Sequence, residues 1–166
     1  MNQSIRVTQT VLIAMLTVFC FTSLAAAQGA QTIDACALLT KDQIQAAVGQ
    51  KVGDGKSNPN ANPAVGTMCQ YVIGDFGVLS ILVKPVGSGE TPDRMKAELE
   101  KRKVAISDAP GIGDGSFFAD MGYGMLQLNT FKGSKYLLIT MMIPGASEAT
   151  QKTAAEKLMR EALTKI

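Results

Sequence analysis

TMCQYVIGDFGVLSILVKPV, residues 67–86, reads as two strands and a turn, and it decides the fold. Gly74, Asp75 and Gly77 interrupt two runs of apolar and β-branched residues, the signature of a hairpin. Side chains alternate across a strand. Cys69, Tyr71 and Ile73 therefore share one face, and Leu79, Ile81 and Val83 share one face of the partner strand. If those faces meet the helix that precedes them, Cys69 points at the element carrying Cys36, and a bond between the two would pin helix to sheet.

That preceding segment is TIDACALLTKDQIQAAVG, a short helical turn leading into a helix. Thr40 and Gln43 form a capping-box pattern, Ile44, Ala47 and Val48 supply an apolar face, and Gly49 ends the helix. Between it and the hairpin, residues 51–66 are rich in Gly, Pro and Asn and are expected to form one long loop, either mobile or functional.

Downstream, ETPDRMKAELEKRK carries Thr91 as N-cap, Pro92 at the first helical position and basic residues at its end. Its apolar content is thin, chiefly Met95 and Leu99, so most of its surface should stay wet. VAISDAPGIGDG is expected to be a loop or a short edge segment. A run of strands follows in SFFADM, GMLQLNTF and KYLLITMMIP, the last two joined by a tight turn at Gly133-Ser134. Leu126, Leu128 and Thr130 alternate with Gln127 and Asn129, whereas residues 136–143 are almost wholly apolar, as in a central strand covered on both faces or pressed between helix and partner. Ser147 caps a closing helix whose Ala155, Leu158, Met159, Ala162, Leu163 and Ile166 form one stripe. The order helix, two strands, helix, three strands, helix predicts an α+β domain: an antiparallel sheet of about five or six strands packed with about three helices.

The first 27 residues read as separate from this domain, which then spans 28–166. Arg6 precedes an apolar run, residues 11–21, and small residues at Ala25 and Ala27 follow, the pattern of a cleaved secretory leader. An uncleaved anchor is the competing reading, although the run falls short of the roughly 20 residues needed to span a bilayer. Cys20 lies within the leader and lacks the small residues that would precede a lipid-attachment site. The expected location is periplasmic or secreted, with no stable membrane span after cleavage.

The whole chain has a formal net charge of +2, which falls to +1 when Arg6 leaves with the leader. So small a charge gives no general attraction for nucleic acid. There is no histidine, which removes the commonest general base and the commonest transition-metal ligand. Two cysteines remain after export, and an even count of two allows one pairing, Cys36 with Cys69. Closing that loop restricts the unfolded chain by roughly 3.5–4 kcal/mol on the chain-entropy account. The rival, a redox pair, normally holds its cysteines as C-x-x-C.

Motifs that carry chemistry fail on context. GDGKS at 53–57 lacks the glycine a phosphate loop needs five residues earlier, and no helix can follow it. GIGDG at 111–115 leads into a strand signal where a dinucleotide fingerprint needs a helix. DFG at 75–77 sits in a hairpin turn without any companion kinase element. Asp108, Asp114 and Asp120 lack the order of a calcium loop, and Ser116 and Ser134 have no histidine to activate them. No catalytic residue, metal site or cofactor is expected. Methionines and aromatics concentrate in the second half. They read as core, or as an apolar pocket or partner surface at a rim around Gly122, Tyr123 and Gly124.

CALLTKDQIQAAVG, the variable Gly/Pro loop, CQY, GIGDGSFF and the closing helix together resemble small exported bacterial proteins of a domain-of-unknown-function group, many of them lipoproteins that open with a C-x-L-L-T segment. The resemblance covers roughly residues 34–165. It implies a disulfide between Cys36 and Cys69 and a PsbP-like α/β sandwich, and it brings no established activity. The expected function is a non-enzymatic binding or accessory module for a partner protein or small apolar ligand in the envelope, with the loop 51–66 and the rim at Gly122–Gly124 as contact regions. The alternative is a hydrolase or lyase using carboxylates or Lys, which requires Asp108, Asp114 or Asp120 to converge with Lys or Arg in a cleft.

Overall fold

The computed structural model describes residues 32–59 and 65–166. The expected leader at 1–27, with Cys20, and the middle of the expected loop, residues 60–64, lie outside the described residues. The elements run α1 (Ala35–Leu38), α2 (Lys41–Val48), β1 (Lys56–Pro59), β2 (Thr67–Ile73), β3 (Gly77–Pro85), α3 (Pro92–Lys101), β4 (Ala105–Asp108), β5 (Gly115–Asp120), β6 (Leu126–Lys132), β7 (Lys135–Met142) and α4 (Glu148–Leu163). The strands form one antiparallel sheet in the order β1-β2-β3-β7-β6-β5-β4. The class is α+β, as the element order predicts.

Local chemistry explains the boundaries. Thr40 and Gln43 complete a reciprocal capping box on α2, and Gly49 ends that helix at φ 70°, a conformation only glycine adopts freely. Thr91 caps α3 and Ser147 caps α4 through their side-chain oxygens. The β6–β7 hairpin closes at Lys132 opposite Lys135, with Gly133 at positive φ.

Among the described residues the sheet has seven strands, not five or six, and the extra strand corrects the reading of residues 51–66 as loop. Lys56 to Pro59 pair with Gln70 to Thr67 along the free edge of β2, and Val52 bridges Ile73. An edge strand tolerates Asn and Pro, which hide its signal in the sequence. Gly55 leads into it across the disulfide. A Cβ there would stand 2.7 Å from Tyr71 Cε1 and 2.8 Å from Cys69 Sγ, so only glycine passes.

One face of the sheet is roofed by α1, α2 and α4. Its core joins Cys69, Tyr71, Ile73, Leu79, Ile81, Leu128, Ile139 and Met141 to Leu38, Leu39 and Ile44 from α1, α2 and the residue between them, and to Leu158 and Met159 from α4. The stripe on α4 is as predicted except at its ends: Ile166 is exposed beyond the helix, and Gln151 joins the buried side one turn earlier. The other face is covered only in part, by α3, which packs on β4 and β5 and has no fully buried residue.

Three successive same-face residues of β2 hold the α1 segment. Thr67 Oγ1 accepts from the Ala35 amide at 3.0 Å and donates to the Ile33 carbonyl at 2.5 Å. Cys69 is bonded to Cys36 with their Cα atoms 4.9 Å apart. The Tyr71 hydroxyl donates to the Leu39 carbonyl at 2.7 Å. Burial, with Asp34 nearby, raises the Tyr71 phenol pKa, so this donor keeps its proton.

Candidate functional site: the half-open sheet face

The pairing register lays out the second face in rows across β2, β3, β7 and β6. One row is Val72, Val78 and Met142; the next is Gln70, Ser80, Thr140 and Gln127; the third is Met68, Leu82, Leu138 and Asn129. Lys84, Tyr136 and Phe131 make the last. Val72 is 50% exposed and most of the others in the first three rows are half-buried. Solvated faces of antiparallel sheets normally carry alternating charged and polar residues. Across these four strands the first three rows hold none that is charged; the charge nearest them is Lys56 on the edge strand β1, opposite Gln70 at the end of the second row.

The single charge on these four strands' second face is Lys84 in the last row, and it is committed. Its ammonium pairs with Glu90 and lies 5.1 Å from the centre of the Tyr136 ring. Glu90 also accepts from the Gly87 amide at 2.7 Å, and these bonds lower the Glu90 carboxyl pKa, with the Lys84 bond the larger cause.

Beneath α3 sits a second, smaller core of Phe117, Phe131 and Tyr136, against which Leu82, Met95, Leu99 and Leu138 pack. Phe131 and Tyr136 rings are 5.1 Å apart and tilted. The Tyr136 hydroxyl donates to Asn129 Oδ1 at 2.6 Å. Burial, then the Glu90 charge, pushes the Tyr136 phenol far above its ordinary range, so it stays a donor. Asn129 is 2% exposed, and its Nδ2 has no hydrogen-bond partner. In the sequence Asn129 alternates with Leu128 and Thr130; the structure buries it between Phe117 and Leu138 on the neighbouring strands.

The expected rim residues lie at one end of the sheet, where β5 turns into β6. Gly122, Tyr123 and Gly124 form the β5–β6 turn, with φ of 80°, 54° and 77°. Asp120 Oδ1 accepts from the Gly122 amide at 2.8 Å, the Gly122 carbonyl accepts from the Met125 amide, and Gln151 Nε2 reaches the Gly124 carbonyl at 3.3 Å. Tyr123 projects into solvent. The glycines are there because the chain reverses, and the turn leaves Tyr123, a non-glycine, in a left-handed conformation.

The carboxylates divide. Asp108 and Asp114 line a cleft of about 460 Å³ with Asp93, Lys96 and Ser116, while Asp120 caps its own turn. Within the cleft Lys96 pairs with Asp108 and stands 5.6 Å from the Phe117 ring centre. Asp114 accepts from the Gly133 amide at 2.6 Å and from Lys132 at 3.0 Å, and these bonds lower its pKa, with the Gly133 bond the larger cause. Ser116 Oγ is 2.8 Å from the Ile112 carbonyl and 2.9 Å from Thr130 Oγ1, turned into the protein. Asp108 and Asp114 thus meet Lys96 in one cleft, the convergence the alternative reading requires, and Lys96, Asp108, Asp114 and Ser116 are each engaged with a structural partner. Among the described residues no three His, Cys, Asp or Glu side chains gather closely enough to hold a metal ion. No helix of the described residues is long and apolar enough to cross a membrane.

No family model matches the chain, and no curated protein or solved structure does either.

Proposed function

We propose that this chain is an exported, non-enzymatic binding module whose half-open sheet face, without charge in its first three rows across the four inner strands, receives a small apolar ligand or an apolar segment of a partner protein. The observation that carries the reading is the composition of the first three rows. They hold apolar and neutral polar side chains where a water-facing sheet would place charge. Export is supported by the leader pattern and by the Cys36–Cys69 bond, which persists in oxidising compartments.

The test is a fluorescence titration with Nile red, an uncharged apolar dye. Wild type should enhance the dye's emission. Val78→Lys combined with Met142→Lys should abolish that enhancement while leaving the unfolding midpoint nearly unchanged, because both residues are only half-buried. Phe76→Ser, at an 82% exposed turn residue off the sheet face, is the control and should bind as wild type does. Equal enhancement by the double variant would refute the assignment of this face.

A further inference from the structure

We infer that Met121, Met125 and Met142 form a thioether site at one end of the half-open face for a soft monovalent metal ion of the copper(I) type. The inference goes beyond the apolar-ligand reading and does not need it.

Strand pairing brings the three side chains together. Asp120 pairs with Leu126 and Leu126 with Met141, so one step further along each strand stand Met121, Met125 and Met142. The Met121 amide donates to the Met125 carbonyl at 2.9 Å, which carries the β5–β6 pairing out to that step. Alternation from the buried Leu126 and Met141 turns Met125 and Met142 to the half-open face, and Met121 follows Phe117 and Ala119 to the same side. Neighbouring Cβ atoms across strands lie roughly 5 Å apart, so the outer two are separated by about 10 Å. A methionine side chain turns about three bonds, enough for the outer sulfurs to lean over the middle one. Met121 is 39% exposed and the other two are half-buried, so an ion reaches them from solvent.

The rest of the row adds no harder ligand. Toward β1 it continues through Val78 and Val72 to Gly53, whose amide donates to the Val72 carbonyl at 2.8 Å. Toward β4 it ends at Val104, one step beyond the Ala105–Asp120 pair. No carboxylate or amine stands among these residues. The nearest charges in sequence, Asp120 and Lys103, are exposed and of opposite sign, and Asp120 is bonded to the Gly122 amide. Three neutral sulfurs suit a soft ion of low charge, whereas calcium and magnesium take oxygen ligands and zinc takes thiolate, imidazole or carboxylate. Thioethers also remain available as ligands in an oxidising compartment, where the thiols of Cys36 and Cys69 are consumed by their bond. Between Met121 and Met125 the turn holds Tyr123 fully exposed at φ 54°, a strained conformation for a non-glycine residue. An aromatic ring at that place can close over a cation held by the flanking sulfurs.

The experiment titrates silver(I) nitrate, a redox-inert soft ion, into protein carrying ¹³C-methyl methionine in chloride-free buffer, followed by ¹H–¹³C correlation spectra. The methyl signals of Met121, Met125 and Met142 should shift together and saturate at a single equivalent. Met68, half-buried on the same face but the lone methionine of its row, should stay still over that range. Zinc sulfate at the same concentrations should shift none of them. Met125→Leu keeps the volume and apolar character of the row and should weaken silver binding about tenfold or more, because it removes the middle ligand of three. The inference is overturned if Met68 shifts along with the three, if zinc shifts them, or if Met125→Leu binds silver as wild type does. The Nile red titration decides the open-face reading separately, whichever way silver behaves. Should Met125→Leu not fold, the comparison with Met68 in wild type decides alone.

Discussion

Replacing both bridging cysteines, Cys36→Ala/Cys69→Ala, tests how the α1 segment is held. The bond links residues 33 apart in sequence, and releasing that loop in the unfolded chain costs roughly 3.5–4 kcal/mol of stability on the chain-entropy account. The native side of the comparison changes little, since Thr67 and Tyr71 still grip the Ile33, Ala35 and Leu39 backbone and Leu38 and Leu39 stay buried. The expected loss is therefore about 2–4 kcal/mol, large against a typical domain stability of about 5–15 kcal/mol. Urea unfolding followed by far-UV circular dichroism should show a lower midpoint with native helix and strand content below it, and a steeper slope because the unlinked chain exposes more surface. Tyr71→Phe completes a cycle. In the bridged protein it leaves the Leu39 carbonyl without its donor and costs about 1–2 kcal/mol. If the bond keeps α1 docked, the same substitution costs less in the unbridged protein, where α1 frays before the sheet melts. A loss below about 1 kcal/mol with an unchanged slope, or a Tyr71→Phe cost that is identical in both backgrounds, would refute the clamp.

Gly55→Ala should destabilise by about 1–3 kcal/mol, since its methyl group must displace the Tyr71 ring or the disulfide, and the loss is read by the same urea curve. Tyr123→Asn should stabilise by a few tenths to about 1 kcal/mol, because Asn adopts φ near 54° more readily and the Tyr123 ring packs on nothing that would be lost; a lower melting temperature would contradict this. Asp114 has a folded-state pKa below its unfolded value, so its contribution is present above about pH 4 and is lost as pH falls through the lower folded pKa. Asp114→Asn should accordingly flatten the fall of melting temperature with pH across the acid range below about 4, with no change in that slope at neutral pH.

The alternation at Cys69, Tyr71 and Ile73 made the roofed face legible because a buried face leaves a strict period of two. The caps at Thr40, Thr91 and Ser147 were legible for the same kind of local reason. β1 was not, since Lys56-Ser57-Asn58-Pro59 has no strand composition and pairs because β2 needs a partner along its edge. Tyr136 to Ile143 reads as a central strand covered on both faces or pressed between helix and partner; it is central, with Leu138, Thr140 and Met142 facing a side that α3 leaves half open. Periodicity tells which residues share a face but not which helix roofs it, so the candidate site was invisible from spacing alone. The signal that was available is the absence of charge at the alternate positions of β2 and β7, and of β3 as far as Leu82. Gly122 to Gly124 drew attention through composition, and the cause of that composition is a reversal of the chain.

The most direct test of the open face is relaxation enhancement by dissolved TEMPO, a small uncharged apolar nitroxide. The account predicts that backbone amide signals of Val72, Val78, Thr140 and Met142 broaden more than those of equally exposed residues on α2 and α4. Uniform broadening that follows exposure alone would contradict it.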